Sequence, residues 1–317
     1  MKPPTISYLS NIYFEIDSVQ LLPDILAQYE ISHPLLVTDE ELVSLGMLDR
    51  LALRDSIVFS GVKSNPTEEN VLAGLAMYQA DNCDGIIALG GGSPMDCAKG
   101  ISLLVKHAQP LAQYAFLNGG LARIVGPTPP VIAIPTTAGT GSEVGRAALL
   151  TLSNDKKTAF ISPKLIPTVV IIDPNLTSGM PARLTAASGM DAISHCVETY
   201  CSNKFNPVAD AIALDGLARG YRNIRQATRN GSDMEARTEM LMASLQGGLS
   251  LQKGLGLVHS LSHPLGSLKQ KSLHHGTLNA IFLPHVLAFN LGHCPEKADA
   301  MAASMSLPNR NKLADTF

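Results

Sequence analysis

Charge is scarce in this chain: Asp, Glu, Lys and Arg make up 16% of its 317 residues, and the net charge is only −3. No Lys/Arg-rich run occurs, so the sequence offers no cationic surface to attract nucleic acid or an anionic membrane. Cysteine is scarce as well. Cys83, Cys97, Cys196, Cys201 and Cys294 are odd in number and form no C-x-x-C, which argues against a disulfide scaffold and for reduced thiols in the cytoplasm. No uninterrupted apolar run reaches the ~18 residues expected of a spanning helix. The start, Met1-Lys2-Pro3-Pro4, leads into a polar, strand-like segment without the apolar core of a secretion signal. Internal repeats, low-complexity tracts and flexible linkers are missing too. What remains is 45% apolar, the balance of a compact enzyme with small-molecule partners. The length exceeds that of one ordinary hydrophobic core, so two domains are expected.

The first half alternates short β-rich runs with helical stretches. Leu35-Leu36-Val37, Ser56-Ile57-Val58-Phe59, Gly85-Ile86-Ile87-Ala88-Leu89, Val131-Ile132-Ala133-Ile134 and Val169-Val170-Ile171-Ile172 are continuous apolar runs. Strands of that kind are buried on both faces. With helical segments at Glu68 to Gln79 and Pro94 to Leu104, they predict a parallel α/β sheet. Beyond about Met180 the β-rich runs cease. Amphipathic segments take over at Ala182 to Tyr200, Pro207 to Arg222, Asp233 to Gly247 and Leu278 to Phe289, which predicts an α/β domain over 1–180 and an all-helical domain over 181–317.

Two loops in the first half suit a nucleotide. Gly90-Gly91-Gly92-Ser93-Pro94-Met95-Asp96 follows a strand and opens a helix. Glycine lets the backbone approach a phosphate, and the helix start supplies free N–H groups and a positive dipole end. A tight βα turn would also use glycine, and the pattern is not G-x-G-x-x-G, so the nucleotide fold is Rossmann-like at most. Pro135-Thr136-Thr137-Ala138-Gly139-Thr140-Gly141-Ser142-Glu143 follows another buried strand with hydroxyls and glycines. Beside the first loop it predicts the second side of a cofactor groove. Asp39 ends the first strand, where a carboxylate hydrogen-bonds an adenosine ribose and repels a 2′-phosphate, favouring NAD over NADP. The same position equally suits the N-cap of a helix.

Six of the nine histidines fall between His259 and His293. Asp191 with His195, and His259 with His263, are spaced by four in helical segments, which puts each pair on one helix face. Alone, the Asp191/His195 pair would be an ordinary hydrogen-bonded helix pair. With a second pair of the same spacing and His274-His275-Gly276 nearby, a divalent metal becomes the sharper reading. Spacing alone leaves His259 against His263, and His274 against His275, open.

Gly90 to Asp96, Thr136 to Val144, Gly189 to Glu198, His259 to Gly266, and His275-Gly276 with Leu283-Pro284-His285 closely resemble, in the same order, the iron-containing (group III) alcohol dehydrogenases. The resemblance implies a dehydroquinate synthase-like fold: a Rossmann-like NAD domain and a helical metal domain. It implies reversible hydride transfer between a small alcohol and its aldehyde or ketone, with NAD(P), in a homo-oligomer. Carried onto this chain, it gives Asp191, His195, His259 and His275 as metal ligands and His263 as the proton-relay residue. It puts Asp39 at the ribose, Asn65, Pro66 and Thr67 near the adenosine, and Lys157 along the groove. Gly91, Gly92, Ser93 and Asp96 with Thr136, Thr137, Thr140 and Ser142 surround the pyrophosphate and nicotinamide. Fe(II) is the implied ion, and Zn(II) fits the same mixed ligands.

The loop from His263 to His275 is about two residues longer than in many members, and Leu273-His274-His275-Gly276 replaces a common Pro-His-Gly, which keeps His274 in competition. Family members continue beyond the position of Phe317, so a C-terminally shortened second domain is expected. This motivates an alternative of another class: a weakly active or inactive member that retains cofactor binding or self-association. A dehydroquinate-synthase-type enzyme is a further alternative, against which Gly189-Met190-Asp191-Ala192 argues.

Overall fold

A computed structural model describes Ile6, Tyr8, Leu53 and the segments 10–51, 56–266 and 273–317. Positions 1–5, 7, 9, 52, 54–55 and 267–272, the last of these in the His263 to His275 stretch expected to be longer than in many family members, lie outside the described residues. The described strands are β1 (Asn11–Phe14), β2 (Pro34–Val37), β3 (Ile57–Phe59), β4 (Gly85–Gly90), β5 (Val131–Pro135), β6 (Ala147–Thr151), β7 (Lys157–Ile161) and β8 (Val169–Ile172). The helices are α1 (Leu22–Gln28), α2 (Glu40–Ser44), α3 (Glu68–Ala80), α4 (Gly92–Lys106), α5 (Ala182–Cys201), α6 (Pro207–Arg229), α7 (Met234–Ser250), α8 (Leu257–Gly266), α9 (His275–Asn290), α10 (Pro295–Ser304) and α11 (Leu313–Thr316). The chain divides into two compact units. One comprises Leu9–Thr136 and Ser142–Leu176; the other includes Thr137–Gly141 and Thr177–Phe317. The short segment Thr137–Gly141 thus groups with the helices rather than with the strand that precedes it.

In the first unit six strands pair in parallel in the order β1-β8-β5-β4-β2-β3; the five apolar runs predict all of them but β1, an edge strand whose residues are exposed or half-buried. Successive side chains of a strand point to opposite faces, and the two cores follow that alternation. Leu35, Val37, Ile86, Ala88, Val131 and Ala133 pack into one, whereas Leu36, Ile87, Leu89, Ile132 and Ile134 pack into the other. Each fully buried Leu or Ile contributes about 1.5–3 kcal/mol, so the sheet is held from both sides. β6 and β7 form a separate antiparallel hairpin, an element the sequence reading lacks. Its buried residues alternate, Ala148, Leu150 and Phe160 facing the first core while their strand neighbours are half-buried.

Local signals set the helix starts. Thr67 and Asn70 make a reciprocal capping box on α3, Asn206 caps α6 through the Ala209 N–H with Pro207 in the first turn, and Asp233 caps α7. In the helical unit α5 packs against α6, α7 and α9. Every residue from Asp191 to Thr199 is buried, so this stretch is a core helix rather than an amphipathic one. Asp191, His195 and Glu198 are therefore ionisable groups in an interior, where they need partners.

Candidate metal centre and cofactor loops

Three helices each deliver two polar side chains one turn apart to one place. α5 supplies Asp191 and His195, α8 supplies His259 and His263, and α9 supplies His275 and Asn279. The ring nitrogens converge on one carboxylate oxygen: Nε2 of His195, His259 and His275 lie 3.6, 3.3 and 3.6 Å from Asp191 Oδ1. A tetrahedral ion with ligand bonds of about 2.1 Å puts its donors about 3.4 Å apart, so the spacing is that of a ligand set. One hard carboxylate with three imidazoles suits Fe(II) or Zn(II). Asp191, His195 and His259 are buried, His275 is half-buried, and the residues present fit a divalent ion.

α9 can come this close because residue 276 is glycine. A Cβ there would stand 2.0 Å from the Ala187 carbonyl oxygen of α5, so any side chain would push His275 away from Asp191. His274, the competitor left open by spacing, occupies the N-cap position of α9 and is exposed. It is His275 that the structure brings into the cluster. His285 and His293 are exposed and outside it.

The donor atoms of His259, His263 and His275 also lie within 4.8 Å of one another, and the His263 ring stacks on His275 at 5.0 Å between centroids. Distance alone would let His263 compete with His259. What separates them is Glu198, a residue in the family-like stretch to which the sequence reading gave no role. Its Oε2 bonds His259 Nδ1 in a short contact, and its Oε1 accepts from the Val258 N–H at 2.7 Å. A carboxylate on Nδ1 leaves Nε2 free to face an ion, so Glu198 aims His259 and anchors the start of α8. Asn279, whose amide nitrogen donates to Asp191 Oδ1 at 2.7 Å, is the second residue the sequence did not reveal.

Electrostatics follow the same geometry. Burial raises the Asp191 pKa, but His195, a hydrogen bond from His259 and the charge of His275 outweigh it and hold the carboxyl well below its usual range. Burial disfavours a charged His259, yet hydrogen bonds to Asp191 and Glu198 prevail and raise it to about 9. His195 is shifted the other way, its burial exceeding the pull of Asp191.

The sheet unit holds the nucleotide candidates. β4 ends at Gly90 with φ 141°, and a Cβ there would meet Pro94 Cγ at 2.6 Å, so this turn requires glycine. α4 begins at Gly92 with Gly91 as its N-cap, two residues earlier than Pro94, and thus exposes the amides of Gly91, Gly92 and Ser93 at a helix start. Thr136 continues β5, its N–H donating to the Gly90 carbonyl at 3.1 Å. Ser142 Oγ donates to Asp96 Oδ1 at 2.7 Å, which joins the two predicted loops.

Beneath that joint lies Lys99, 1% exposed, whose ammonium donates to Ser142 O, Ser142 Oγ, Gly145 O and Ala147 O at 2.7–2.9 Å. Burial lowers the Lys99 pKa to about 8 against the pull of Asp96 and Glu143, and burial raises Glu143 to about 7. The side chains of Asp96 and Ser142 are therefore engaged with the protein itself. Thr137 and Thr140 belong to the segment grouped with the helices. Lys157 Nζ donates to Asn65 Oδ1 at 2.8 Å, and the Pro66 carbonyl accepts from Thr151 N, so Asn65, Pro66 and Lys157 meet at the hairpin. Asp39 caps α2, its Oδ1 accepting from the Leu42 N–H at 2.8 Å; the capping alternative is thus realised, with one carboxylate oxygen engaged.

Comparison with known proteins gives the family. The iron-containing alcohol dehydrogenase family pattern matches residues 10–174, and the C-terminal pattern of the Fe-containing alcohol dehydrogenase family matches residues 185–316. A 4-hydroxybutyrate dehydrogenase of Cupriavidus necator is 50% identical over 90% of this chain and 76% of its own length. An NAD-dependent methanol dehydrogenase of Bacillus methanolicus is 39% identical over 81% of this chain and 68% of its own. The crystal structure of a 1,3-propanediol oxidoreductase superposes with a TM-score of 0.92 at 39% identity, covering 98% of this chain and 84% of that one. The chain belongs to the iron-containing alcohol dehydrogenase family.

Proposed function

We propose that the protein is an Fe(II)-dependent, NAD-preferring dehydrogenase of small alcohols. It interconverts an alcohol and its aldehyde or ketone at a centre held by Asp191, His195, His259 and His275. The observation that carries this reading is the convergence of three Nε2 atoms on Asp191 Oδ1 at 3.3–3.6 Å. When bound, the ion supplies Lewis acidity toward an alcohol oxygen, and NAD supplies the hydride acceptor.

The chain's own residues do the remaining work. Glu198 fixes the His259 ring so that Nε2 faces Asp191. The buried Asp191, His195 and His259 keep water from one side of the centre, and the half-buried His263 and His275 form its more open side. His263, beside His275, takes up the hydroxyl proton and passes it to water. Gly91, Gly92 and Ser93 offer amides to the pyrophosphate, with Asp96, Thr136, Thr137, Thr140 and Ser142 shaping the surrounding loops. Asn65, Pro66 and Lys157 border the nucleotide. The second oxygen of Asp39 is available to a ribose hydroxyl, which supports NAD over NADP. The division of labour is an NAD-binding 1–180 and a metal-binding 181–317. We further propose a homo-oligomer of the cytoplasm; among the described residues no helix is long and apolar enough to cross a membrane, and all five cysteines are free.

The relatives act on 4-hydroxybutyrate, methanol and 1,3-propanediol, which share an unbranched primary alcohol. The test is a screen of Fe(II)-loaded protein with NAD against ω-hydroxy acids, diols and simple primary alcohols, read as NADH absorbance. Turnover with short primary alcohols is expected, 4-hydroxybutyrate first among them; no NADH with any of the panel, from folded and iron-loaded protein, would overturn the reading and favour a cofactor-binding protein without dehydrogenase activity.

A further inference from the structure

Asn279 lies one turn beyond His275 on α9 and is fully buried. Its amide nitrogen donates to Asp191 Oδ1 at 2.7 Å and stands 3.1 and 3.2 Å from Nε2 of His259 and His275. One of its two hydrogens goes to the carboxylate, and the two ring nitrogens beside it donate or accept according to their tautomer. The other end of the amide has the opposite fate: Oδ1 is buried with no hydrogen-bond partner among the described residues. A residue needed only to fill space would not leave a buried carbonyl unpaired, because an apolar side chain of similar volume avoids that penalty. Turning the amide over would set oxygen against the oxygen of Asp191. The network therefore fixes the N–H toward Asp191 at the expense of Oδ1, and the nitrogen sits amid three of the four donors.

We propose that Asn279 is a positioning residue for the metal centre: its amide fixes the Asp191 carboxylate and holds Asp191, His259 and His275 at ligand spacing before an ion arrives. The proposal rests on the metal-site reading and adds to it a residue outside the four donors. Groups that orient metal ligands in this way typically change affinity about 10–100-fold when removed. A preformed site also releases its ion more slowly, because the donors stay in place when one bond opens.

The experiment compares wild type, Asn279→Ala and the nearly isosteric Asn279→Leu. Co(II) affinity is measured by chelator competition, the melting temperature in EDTA, and kcat and KM with saturating metal. Wild type is expected to bind one Co(II) per chain. Both variants are expected to bind it about 10–100-fold more weakly, with KM for NAD unchanged and kcat largely recovered at saturating metal. If Asn279→Leu binds Co(II) as tightly as wild type, Asn279 is a packing residue and the proposal fails while the metal site stands. If wild type binds no Co(II), the metal-site reading fails and takes this proposal with it.

Discussion

His259 and His263 have the same chemistry, sit on the same helix face and lie within reach of the same neighbours, yet the structure treats them differently. Glu198 holds His259 through Nδ1 and the start of α8 through the Val258 N–H; His263 stacks on His275 at the more open side. His259→Ala is accordingly expected to weaken metal binding at least about 100-fold, as loss of a ligand exceeds loss of an orienting group. His263→Ala should retain the ion and lose roughly 10²–10⁴ in kcat, the range of a general acid–base residue. Metal content after gel filtration, beside kcat, separates the two; equal metal loss would reverse the roles. A pH dependence follows from His259. Its pKa is raised to about 9 in the metal-free protein, and an ion needs the neutral ring. Metal affinity should rise about tenfold per pH unit toward pH 9 and then level. The sign for stability is opposite: a raised folded-state pKa stabilises the metal-free fold at low pH, and that contribution is lost as pH climbs from about 6.5, the usual histidine value, to about 9. Chelator titrations and EDTA melts across that window test both. The candidate cluster was legible in the sequence because two pairs of Asp and His at spacing four fall in helical segments, but spacing left His259 against His263 and His274 against His275 open, and the choice of four came from the family resemblance. Glu198 and Asn279 were not legible, because their roles exist only through contacts with other helices.

At the scale of elements, the central parallel strands β2, β4, β5 and β8 were readable because they are buried on both faces and so leave continuous apolar runs, whereas the exposed edge strand β1 was not. The β6–β7 hairpin was not, since only Ala148, Leu150 and Phe160 of its strands are buried in the first core. The close approach of α9 to α5 depends on Gly276, and Gly276→Ala forces a Cβ against the Ala187 carbonyl. Such overpacking costs about 1–3 kcal/mol, to be read from the urea midpoint. Metal affinity should fall with it, since His275 is the adjacent residue. In the sheet unit the corresponding element is the Lys99 clamp. Lys99→Met leaves several buried oxygens without their donor, at about 1–3 kcal/mol for an unsatisfied group, and loosens the Ser142–Asp96 joint between the two cofactor loops. NAD affinity measured by calorimetry should drop while the metal stoichiometry stays at its wild-type value; the reverse pattern would place Lys99 outside the cofactor's support.

In the whole molecule, nucleotide and metal chemistry are proposed for different stretches of chain, and the segment Thr137–Gly141 from the first stretch groups with the helices. Sequence periodicity could not show this, because loop residues carry no period and their allegiance is decided by packing. Gly141, for instance, has no room for a Cβ, which would stand 2.4 Å from Gly248 Cα on α7. The central claim is tested by the initial rate of NADH formation against Fe(II) equivalents per chain, with NAD and a short primary alcohol in excess. The account predicts no rate without metal and a linear rise that breaks at one Fe(II) per chain. Turnover independent of Fe(II), or a filled site with no turnover, would contradict it.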